Sequence, residues 1–428
     1  MNVDTTRGLD RGRAGSSPPL SSLAILRIRP FLVLYVNAAV VFLGVMAQNI
    51  ARAWLAFELT GSNAALGGVL LSFGVTMLVV TPWGGVAADR LPKRLVLQVA
   101  VCLFAFPSVG VGLTVALDVV AYWMLLVAGS LQAIAFALFN PARMAFLAEV
   151  VPKESVPSAV SLLLVNAEVC RVVGPAVAGV VIGSLSGGTV AVFLATGFLA
   201  AIGLLFTAAL PPGRRRGHGS DRSPLGELAD GLAYVRRRPE LRGLVWYGIG
   251  VTMAGLPYIA FLPAVATNLL HLGPIGYGIL WATSAVGGVA TGLLLGRRSH
   301  RRSETRVLIL AGAILALALG ALAAAQVFAV AVGALLVVGG AMLAFQTTNQ
   351  SLLMSRSDME YHGRIQGLIM LSFGAYGIVA LPLGILADAV GLRWTIAGMA
   401  VTVALLTMLF GLVTRRQHGR IDRLRDLG

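Results

Sequence analysis

Charged residues are scarce in this chain. Asp, Glu, Lys and Arg make up only 12% of its 428 residues, whereas 57% are hydrophobic. This composition indicates a polytopic membrane protein, since one soluble core does not normally organise so long a chain. We find twelve nearly unbroken apolar runs, each close to the roughly 20 residues that a membrane-spanning helix needs. Barrel strands would alternate over roughly ten residues, so the sequence predicts an all-α fold with twelve transmembrane helices.

Cysteine is nearly absent, and so are nucleotide-binding patterns. Cys102 and Cys170 lie in apolar runs far apart in the sequence, so we predict neither a disulfide nor a metal site. The chain contains no loop of the form glycine, four residues, Gly-Lys-Ser/Thr, and no soluble segment is long enough to hold an ATPase domain. We therefore predict no cofactor and no enzyme activity, and any energy would come from a gradient or an external partner.

Acidic residues are fewer than basic ones, at 18 against 33. All Lys and Arg except Arg52, Arg171 and Arg393 fall in seven segments: the termini, the central loop, and the loops after helices 2, 4, 8 and 10. Every second connection is therefore basic, and these segments all lie on one side of the predicted helices. Charges divided in this way argue against a nucleic-acid-binding surface. They predict a protein of the cell membrane, in contact with the lipid bilayer, with both termini cytoplasmic.

One long polar connection divides the predicted helices into six and six. A single shift along the chain places Gly85 on Gly292 and Pro175 on Pro382, as two pseudo-symmetric halves around a central cavity would require. The predicted organisation is a disordered basic cytoplasmic N-terminus (1–30), an N-terminal six-helix bundle (31–210), a cytoplasmic linker (211–242), a C-terminal six-helix bundle (243–413) and a basic cytoplasmic tail (414–428).

A charge-dense segment between the second and third apolar runs carries a family resemblance. Its sequence, Gly85-Val-Ala-Ala-Asp89-Arg90-Leu-Pro-Lys93-Arg94, resembles the cytoplasmic loop of the major facilitator superfamily, with Pro92 where glycine is usual. Nearly the whole chain is similar to the drug-exporter branch that includes macrolide and siderophore efflux proteins, through the order of Arg52-Ala-Trp54, Asn140-Pro-Ala-Arg143, Gly174-Pro175 and Gly363-Arg364. The resemblance implies alternating access, driven by proton exchange and directed outward.

Within this segment we predict a conformational latch. Gly85 would let helix backbones approach closely, and Asp89 could accept hydrogen bonds from a neighbouring helix N-terminus while pairing with Arg90 or Arg94. Such a network would hold the outward-open state and break when the halves rock. The alternative is that the basic side chains, Arg90, Lys93 and Arg94, only anchor the topology.

Helix 5 carries Glu168 and Arg171, two ionisable residues that are neighbours on one helical face. Glu168 is our candidate for a proton-titrating carboxylate, since desolvation would raise its pKa while Arg171 would lower it. A static structural pair is the equal alternative. Gly174-Pro175 and Gly179 are predicted to allow a bend and close packing, and they resemble the helix 5 pattern of antiporters in the superfamily.

Many drug-exporting relatives also have an arginine in helix 4, whereas none lies near Gln132 here. The proton route of those relatives therefore cannot be carried over to this chain.

Other polar residues are candidates for a central cavity: Gln48, Asn49 and Arg52 on helix 1, Asn166 on helix 5 and Gln346 on helix 10. Arg52 could attract an anionic substrate or extend to the outer headgroups, and Gln346 could instead hydrogen-bond between helices. We expect a proton-coupled exporter of hydrophobic or amphipathic small molecules. The alternatives are a non-cycling receptor or lipid-handling protein and an importer of a small nutrient. The sequence leaves the oligomeric state open.

Overall fold

A computed structural model describes residues 22–211, 224–296 and 304–425, and within these ranges every regular element is a helix. Twelve of these helices are long and apolar enough to cross a membrane, which confirms the predicted all-α fold. In chain order they are α1 (Arg29–Thr60), α2 (Asn63–Arg90), α3 (Lys93–Ala116), α4 (Tyr122–Val150), α5 (Val156–Ser184), α6 (Gly188–Ala208), α7 (Pro239–Gly255, continued after a break by Tyr258–Ala264), α8 (Pro274–Gly296), α9 (Glu304–Ala324), α10 (Phe328–Ser355), α11 (His362–Val390) and α12 (Leu392–Arg425).

The turn between α1 and α2 shows how local chemistry ends one helix and begins the next. Gly61 adopts a left-handed backbone conformation with φ of 64°, which glycine reaches without the steric penalty of a Cβ. The Ser62 side chain then accepts hydrogen bonds from the N–H groups of Ala64 and Ala65. Ser62 therefore caps the start of α2 and satisfies donors that a helix leaves unpaired.

The break in α7 was not predicted. Pro257 has no N–H with which to continue the helix, and the chain restarts as the short helix Tyr258–Ala264 before ending in a π-helical turn, Val265–Leu269. Most of this short helix is buried. The break brings Tyr258 into the interior of the protein, where it lines the cavity described below.

The connections between successive helices fall on two faces. One face contains residues 91–92, 151–155, the segment before α7 and residues 356–361, and we call it the basic face. The opposite face has residues 61–62, 117–121, 185–187, 270–273, 325–327 and 391. Helices α1–α6 form one half and α7–α12 the other. The most extensive contacts between the halves are made by two helix pairs: α2 packs along α11, and α5 packs along α8.

Glycines allow the halves to meet close to the opposite face. A Cβ on Gly179 of α5 would lie 2.8 Å from the Cα of Gly278 on α8 and 2.8 Å from the Pro274 carbonyl oxygen. Between α2 and α11, a Cβ on Gly384 would lie 2.9 Å from the Cα of Ala64, at the start of α2. Backbone thus packs directly on backbone, as small residues permit in membrane helices. This agrees with the packing role predicted for Gly179.

Three predicted boundaries differ from the structure. The predicted linker contains a helix, Pro224–Arg237 (the linker helix), and α7 begins at Pro239. The tail predicted from 414 continues α12 as far as Arg425. Residues 1–21 of the segment predicted to be disordered lie outside the described residues, but Ile25 within that segment is fully buried. Local apolar contacts therefore extend the N-terminal half beyond the predicted start at residue 31.

The linker helix binds to the C-terminal half. The Tyr234 ring stacks on Tyr361 with centroids 3.8 Å apart, and its hydroxyl hydrogen-bonds to the Asp358 carboxylate at 3.0 Å. Arg238, directly after the linker helix, pairs with the same carboxylate at 2.7 Å. These contacts anchor the connection to the loop before α11 on the basic face.

Replacing Gly179 by Val should prevent the halves from meeting at the opposite face, because the side chain would overlap the α8 backbone. We expect spin labels at Asp118 and Gln326, introduced as cysteines after removal of Cys102 and Cys170, to show a longer mean distance than in the parent. The control is Gly110→Val, since a Cβ at Gly110 meets no atom within 4 Å. An unchanged distance distribution in the Gly179 variant would contradict the assignment of this crossing as the contact that closes the opposite face.

Candidate functional site

A cavity of about 40 Å³ lies between the two halves. Glu168 and Arg171 of α5 line one side, and Tyr258, Trp281 and Gln346 of α7, α8 and α10 line the other. All of these residues lie on the basic-face side of the Gly179–Gly278 crossing, so that crossing separates the cavity from the opposite face. The structure thus brings Gln346 together with the predicted ionisable pair, in a space with aromatic walls.

Glu168 and Arg171 form the predicted ion pair, with 3.6 Å between Glu168 Oε1 and Arg171 Nη1. Both side chains are partly exposed, at 35% and 44%. They border the cavity as well as each other. Proton titration at Glu168 and a static structural pair both stay predictions. Across the cavity the Tyr258 hydroxyl hydrogen-bonds to Ser284 at 2.6 Å.

Arg52 lies in a second polar group beside the cavity, buried between the halves. Its Nη2 donates to Gln132 Oε1 of α4 at 2.5 Å and to Asn49 Oδ1 at 2.9 Å. Tyr277 of α8 and Tyr376 of α11 lie near its guanidinium. Only 4% of Arg52 is exposed, so the alternative of a side chain extended to the outer headgroups is wrong.

Arg52 lies beside the part of α4 around Gln132, which contains no arginine. Gln132 of α4 is uncharged, but the Arg52 guanidinium of α1 donates a hydrogen bond to it. The positive charge is therefore supplied to the same part of the N-terminal half by a different helix. The sequence does not predict this contact, because the two residues are 80 positions apart and lie on different helices.

Asn166 does not reach the cavity. Its amide nitrogen donates to the Tyr35 carbonyl oxygen of α1 at 2.9 Å, and the residue is buried. It therefore joins α5 to α1 inside the N-terminal half. Gly174 lies at the same contact, where a Cβ would be 2.7 Å from the Met46 Cβ, and Pro175 is buried beside it without ending α5.

The predicted latch segment has a different arrangement from the one expected. A Cβ added at Gly85 would meet no atom within 4 Å. The neighbouring Gly84 packs closely instead, against the Ala137 carbonyl oxygen of α4. Lys93 is almost fully buried and pairs with Glu149 at the end of α4. Arg90 is exposed, Arg94 is half-buried, and the Asp89 side chain lies outside the described residues. The latch itself stays a prediction.

A carboxylate that sequence reasoning missed connects the halves at the opposite face. Asp388, near the end of α11, accepts hydrogen bonds from the N–H groups of Asn63 and Ala64 at 2.8 and 2.9 Å, from the Asn63 amide at 2.8 Å and from the Ser62 hydroxyl at 2.6 Å. A negative charge at the α2 N-terminus is favourable for the helix dipole. Ser62 is a residue type that favours a helix start, but only the fold shows that the second half contributes a carboxylate there.

Arg143 corrects the count of basic loop residues. The sequence placed it in the loop after helix 4, whereas α4 continues to Val150 and leaves Arg143 only 5% exposed. Its guanidinium carbon lies 4.9 Å from the centre of the Phe42 ring and 5.6 Å from that of Phe139. Attraction between a cation and aromatic faces compensates part of the cost of its burial.

The pair of Lys93 and Glu149 should contribute to the stability of the N-terminal half. We expect Lys93→Ala or Glu149→Ala to reduce the free energy of unfolding by about 3 kcal/mol, because either change breaks a largely buried ion pair. The double variant should lose much less than the sum of the two, a difference that thermal unfolding in detergent measures. Additive losses would show that the two residues stabilise the protein independently.

Replacing Asp388 by Ala should loosen the start of α2. We expect amide hydrogen exchange at Asn63 and Ala64 to accelerate by about tenfold or more, since loss of a helix cap costs about 1 kcal/mol and loss of hydrogen bonds to a charged group costs more. Asp118→Ala, on an exposed turn of the same face, is the matched control. Unchanged exchange in the Asp388 variant would mean that α2 is capped without the second half.

The comparisons with known proteins agree with this arrangement of helices and cavity. The chain is 23% identical over 388 residues to the staphyloferrin A transporter of Staphylococcus aureus (strain NCTC 8325 / PS 47), covering 90% of this chain and 96% of that protein. It is 28% identical over 373 residues to the multidrug efflux pump Tap of Mycobacterium tuberculosis (strain ATCC 25618 / H37Rv), covering 83% and 86%.

Solved structures show the same fold at low identity. A bacterial homologue of the human lysosomal transporter Spinster, in an inward-facing and occupied conformation, aligns with a TM-score of 0.74 at 15% identity, over 94% of this chain and 98% of that chain. The nucleoside transporter NupG aligns with a TM-score of 0.73 at 13% identity, over 90% and 98%. Residues 20–423 match the family described as transmembrane secretion effector. The protein therefore belongs to this family of the major facilitator superfamily, and it is a multi-pass membrane transporter.

Proposed function

We propose that the protein exports hydrophobic or amphipathic small molecules across the plasma membrane by alternating access, in exchange for protons. The observation that carries this proposal is the cavity between the halves, where the Glu168–Arg171 pair faces Tyr258 and Trp281. Cavities that combine apolar walls with a few placed polar groups suit small-molecule ligands. The names of two relatives, a multidrug efflux pump and a siderophore transporter, support the same substrate range.

The direction of transport rests on the arrangement of charges and contacts. Basic residues concentrate on one face, which the positive-inside rule makes cytoplasmic. The halves meet near the other face, at Gly179 against Gly278 and at Asp388 against the start of α2. On this orientation the cavity lies on the cytoplasmic side of the closed contact, which is the state in which an exporter collects its substrate.

Proton coupling rests on Glu168. The described membrane-spanning helices hold few carboxylates, and Glu168 is the one that lines the cavity. Protonation would break its pairing with Arg171 and remove a charge from the cavity wall, so proton binding and substrate binding would change the same surface. Ionisable residues inside the membrane commonly have such roles.

The test is uptake of a lipophilic fluorescent dye into inverted membrane vesicles containing the protein. We expect accumulation that requires an acidic vesicle interior, and that falls to near background with Glu168→Gln or with Asp89→Asn, the latch variant. Glu58→Gln is the matched control, because Glu58 is an exposed carboxylate at the end of α1. All variants must be present in the membrane at equal amounts.

The outcomes separate the alternatives. Accumulation driven by the reversed gradient would indicate an importer. A panel of chemically different dyes that bind but never accumulate would favour a receptor or lipid-handling protein. Full transport by Glu168→Gln would exclude Glu168 as the proton-coupling group, and full transport by Asp89→Asn would exclude the latch.

A further inference from the structure

The Arg52 pocket combines side chains from both halves of the protein. We define it by Arg52, Gln48, Gln132, Tyr277 and Tyr376. Gln48 lies one helical turn before Arg52 on α1, hence on the same helical face, and Gln132 contacts Arg52 directly. Tyr277 and Tyr376 approach from α8 and α11. Arg52, Gln48, Gln132 and Tyr277 are each at most 4% exposed.

Several polar atoms in this pocket are buried without a hydrogen-bond partner: Nε and Nη1 of Arg52, Nε2 of Gln48, Nε2 of Gln132 and the hydroxyl of Tyr277. Every one of these groups can donate a hydrogen bond, and four of them are nitrogen donors that cannot accept one. Buried polar groups are normally paired, and an unpaired group in a native protein requires an explanation. Five unused donors around one positive charge form a site for an acceptor that carries negative charge.

The charge on Arg52 also lacks a counterion. No carboxylate of the residues described by the structure lies within 4.0 Å of it. Arg143, the other deeply buried arginine among these residues, faces the rings of Phe42 and Phe139, whereas Arg52 donates to the amide oxygens of Asn49 and Gln132. A buried charge without compensation is strongly unfavourable, so an external anion is the missing part of this site.

Aromatic rings connect the Arg52 pocket to the central cavity. The Tyr277 ring stacks on Trp54 at 6.2 Å between centroids and meets the edge of Trp281, a cavity residue, at 6.4 Å. Tyr376 is within electrostatic range of both Arg52 and Arg171. A molecule with its charged end at Arg52 could therefore place an apolar body against Trp281 and Tyr258.

We propose that the Arg52 pocket binds the carboxylate of an amphipathic substrate, so that the molecules carried include lipophilic monocarboxylates. Arg52 forms the charge-assisted contact, Gln48 and Gln132 donate through their amides, and Tyr277 donates through its hydroxyl. The inference rests on the proposed export function only in calling the ligand a substrate. The site itself is tested by binding, without any transport measurement.

The experiment compares 4-phenylbutyrate with its uncharged amide, 4-phenylbutyramide, by calorimetric titration of the purified full-length protein in lipid nanodiscs and chloride-free buffer. We expect the acid to bind more tightly than the amide by about tenfold or more, the difference that a hydrogen bond to a charged group supplies. Chloride added as a competitor should weaken binding of the acid, since both would occupy the same donors.

Variants identify the residues responsible. Arg52→Gln should abolish the preference for the acid, and the double variant Arg52→Gln with Gln132→Arg should restore it by returning a positive charge to the pocket from α4. Arg143→Gln, equally buried but enclosed by aromatic rings, should keep the preference. Loss of the preference with Arg143→Gln, while Arg52→Gln retains it, would overturn the assignment.

Tyr277→Phe separates ligand binding from a structural role, and it changes a single atom. Removing an unpaired hydroxyl should leave thermal stability without ligand equal or higher, while reducing the affinity for 4-phenylbutyrate severalfold. A loss of stability with unchanged affinity would indicate a structural hydroxyl and overturn its assigned role. This variant also tests the pocket if Arg52→Gln fails to fold.

Other outcomes are equally decisive. Equal affinity of the wild-type protein for acid and amide would overturn the proposal. Chloride binding that 4-phenylbutyrate cannot displace would make this an inorganic-anion site and overturn it too. Preference for the acid without dye accumulation in vesicles would uphold the pocket and count against the exporter. Dye export without that preference would uphold the exporter and overturn the pocket.

Discussion

Backbone atoms of the two halves come into direct contact where α5 crosses α8 and where α2 crosses α11. Lipid chains are as apolar as leucine side chains, so no hydrophobic force draws membrane helices together, and close packing between small residues must supply much of the attraction. Because these contacts lie toward the opposite face, the cavity is left on the basic-face side. The cap that Asp388 provides to α2 and the burial of Arg52 beside Tyr277 both depend on the same approach of the halves.

The number of helices and the division into halves could be read from the sequence because the thickness of a bilayer fixes the length of an apolar run. Local interruptions were less visible. The break at Pro257 falls within a continuous apolar run, and the linker helix is amphipathic in a segment whose Arg, Gly and Pro content suggested a loop. In both cases tertiary contacts, such as the stacking of Tyr234 on Tyr361, select one structure among those the local sequence allows.

The candidate site was only partly predictable, because each predicted residue was judged by its own helix. Glu168, Arg171 and Gln346 meet at the cavity as expected. Asn166 hydrogen-bonds within one half, and Gly84 takes the packing position expected of Gly85. Asp388, Glu149 and Tyr277 were missed since their partners are distant in sequence. A count of basic residues by loop likewise cannot tell an exposed anchor from Lys93, which is buried against a carboxylate.

Arg52 and Asp388 place opposite charges at two points where the halves meet, and both depend on groups from the other half. The Asp388 cap exists only while α11 lies at the start of α2. An anion bound at Arg52 would contact Tyr277 only while α8 lies beside α1, so anion binding would favour the closed opposite face by its differential affinity for that state. Opening of this face would remove the Tyr277 hydroxyl and weaken the hold on the anion. A carboxylate substrate would thus be bound most tightly before the conformational change and released after it, which is the order of events that export requires.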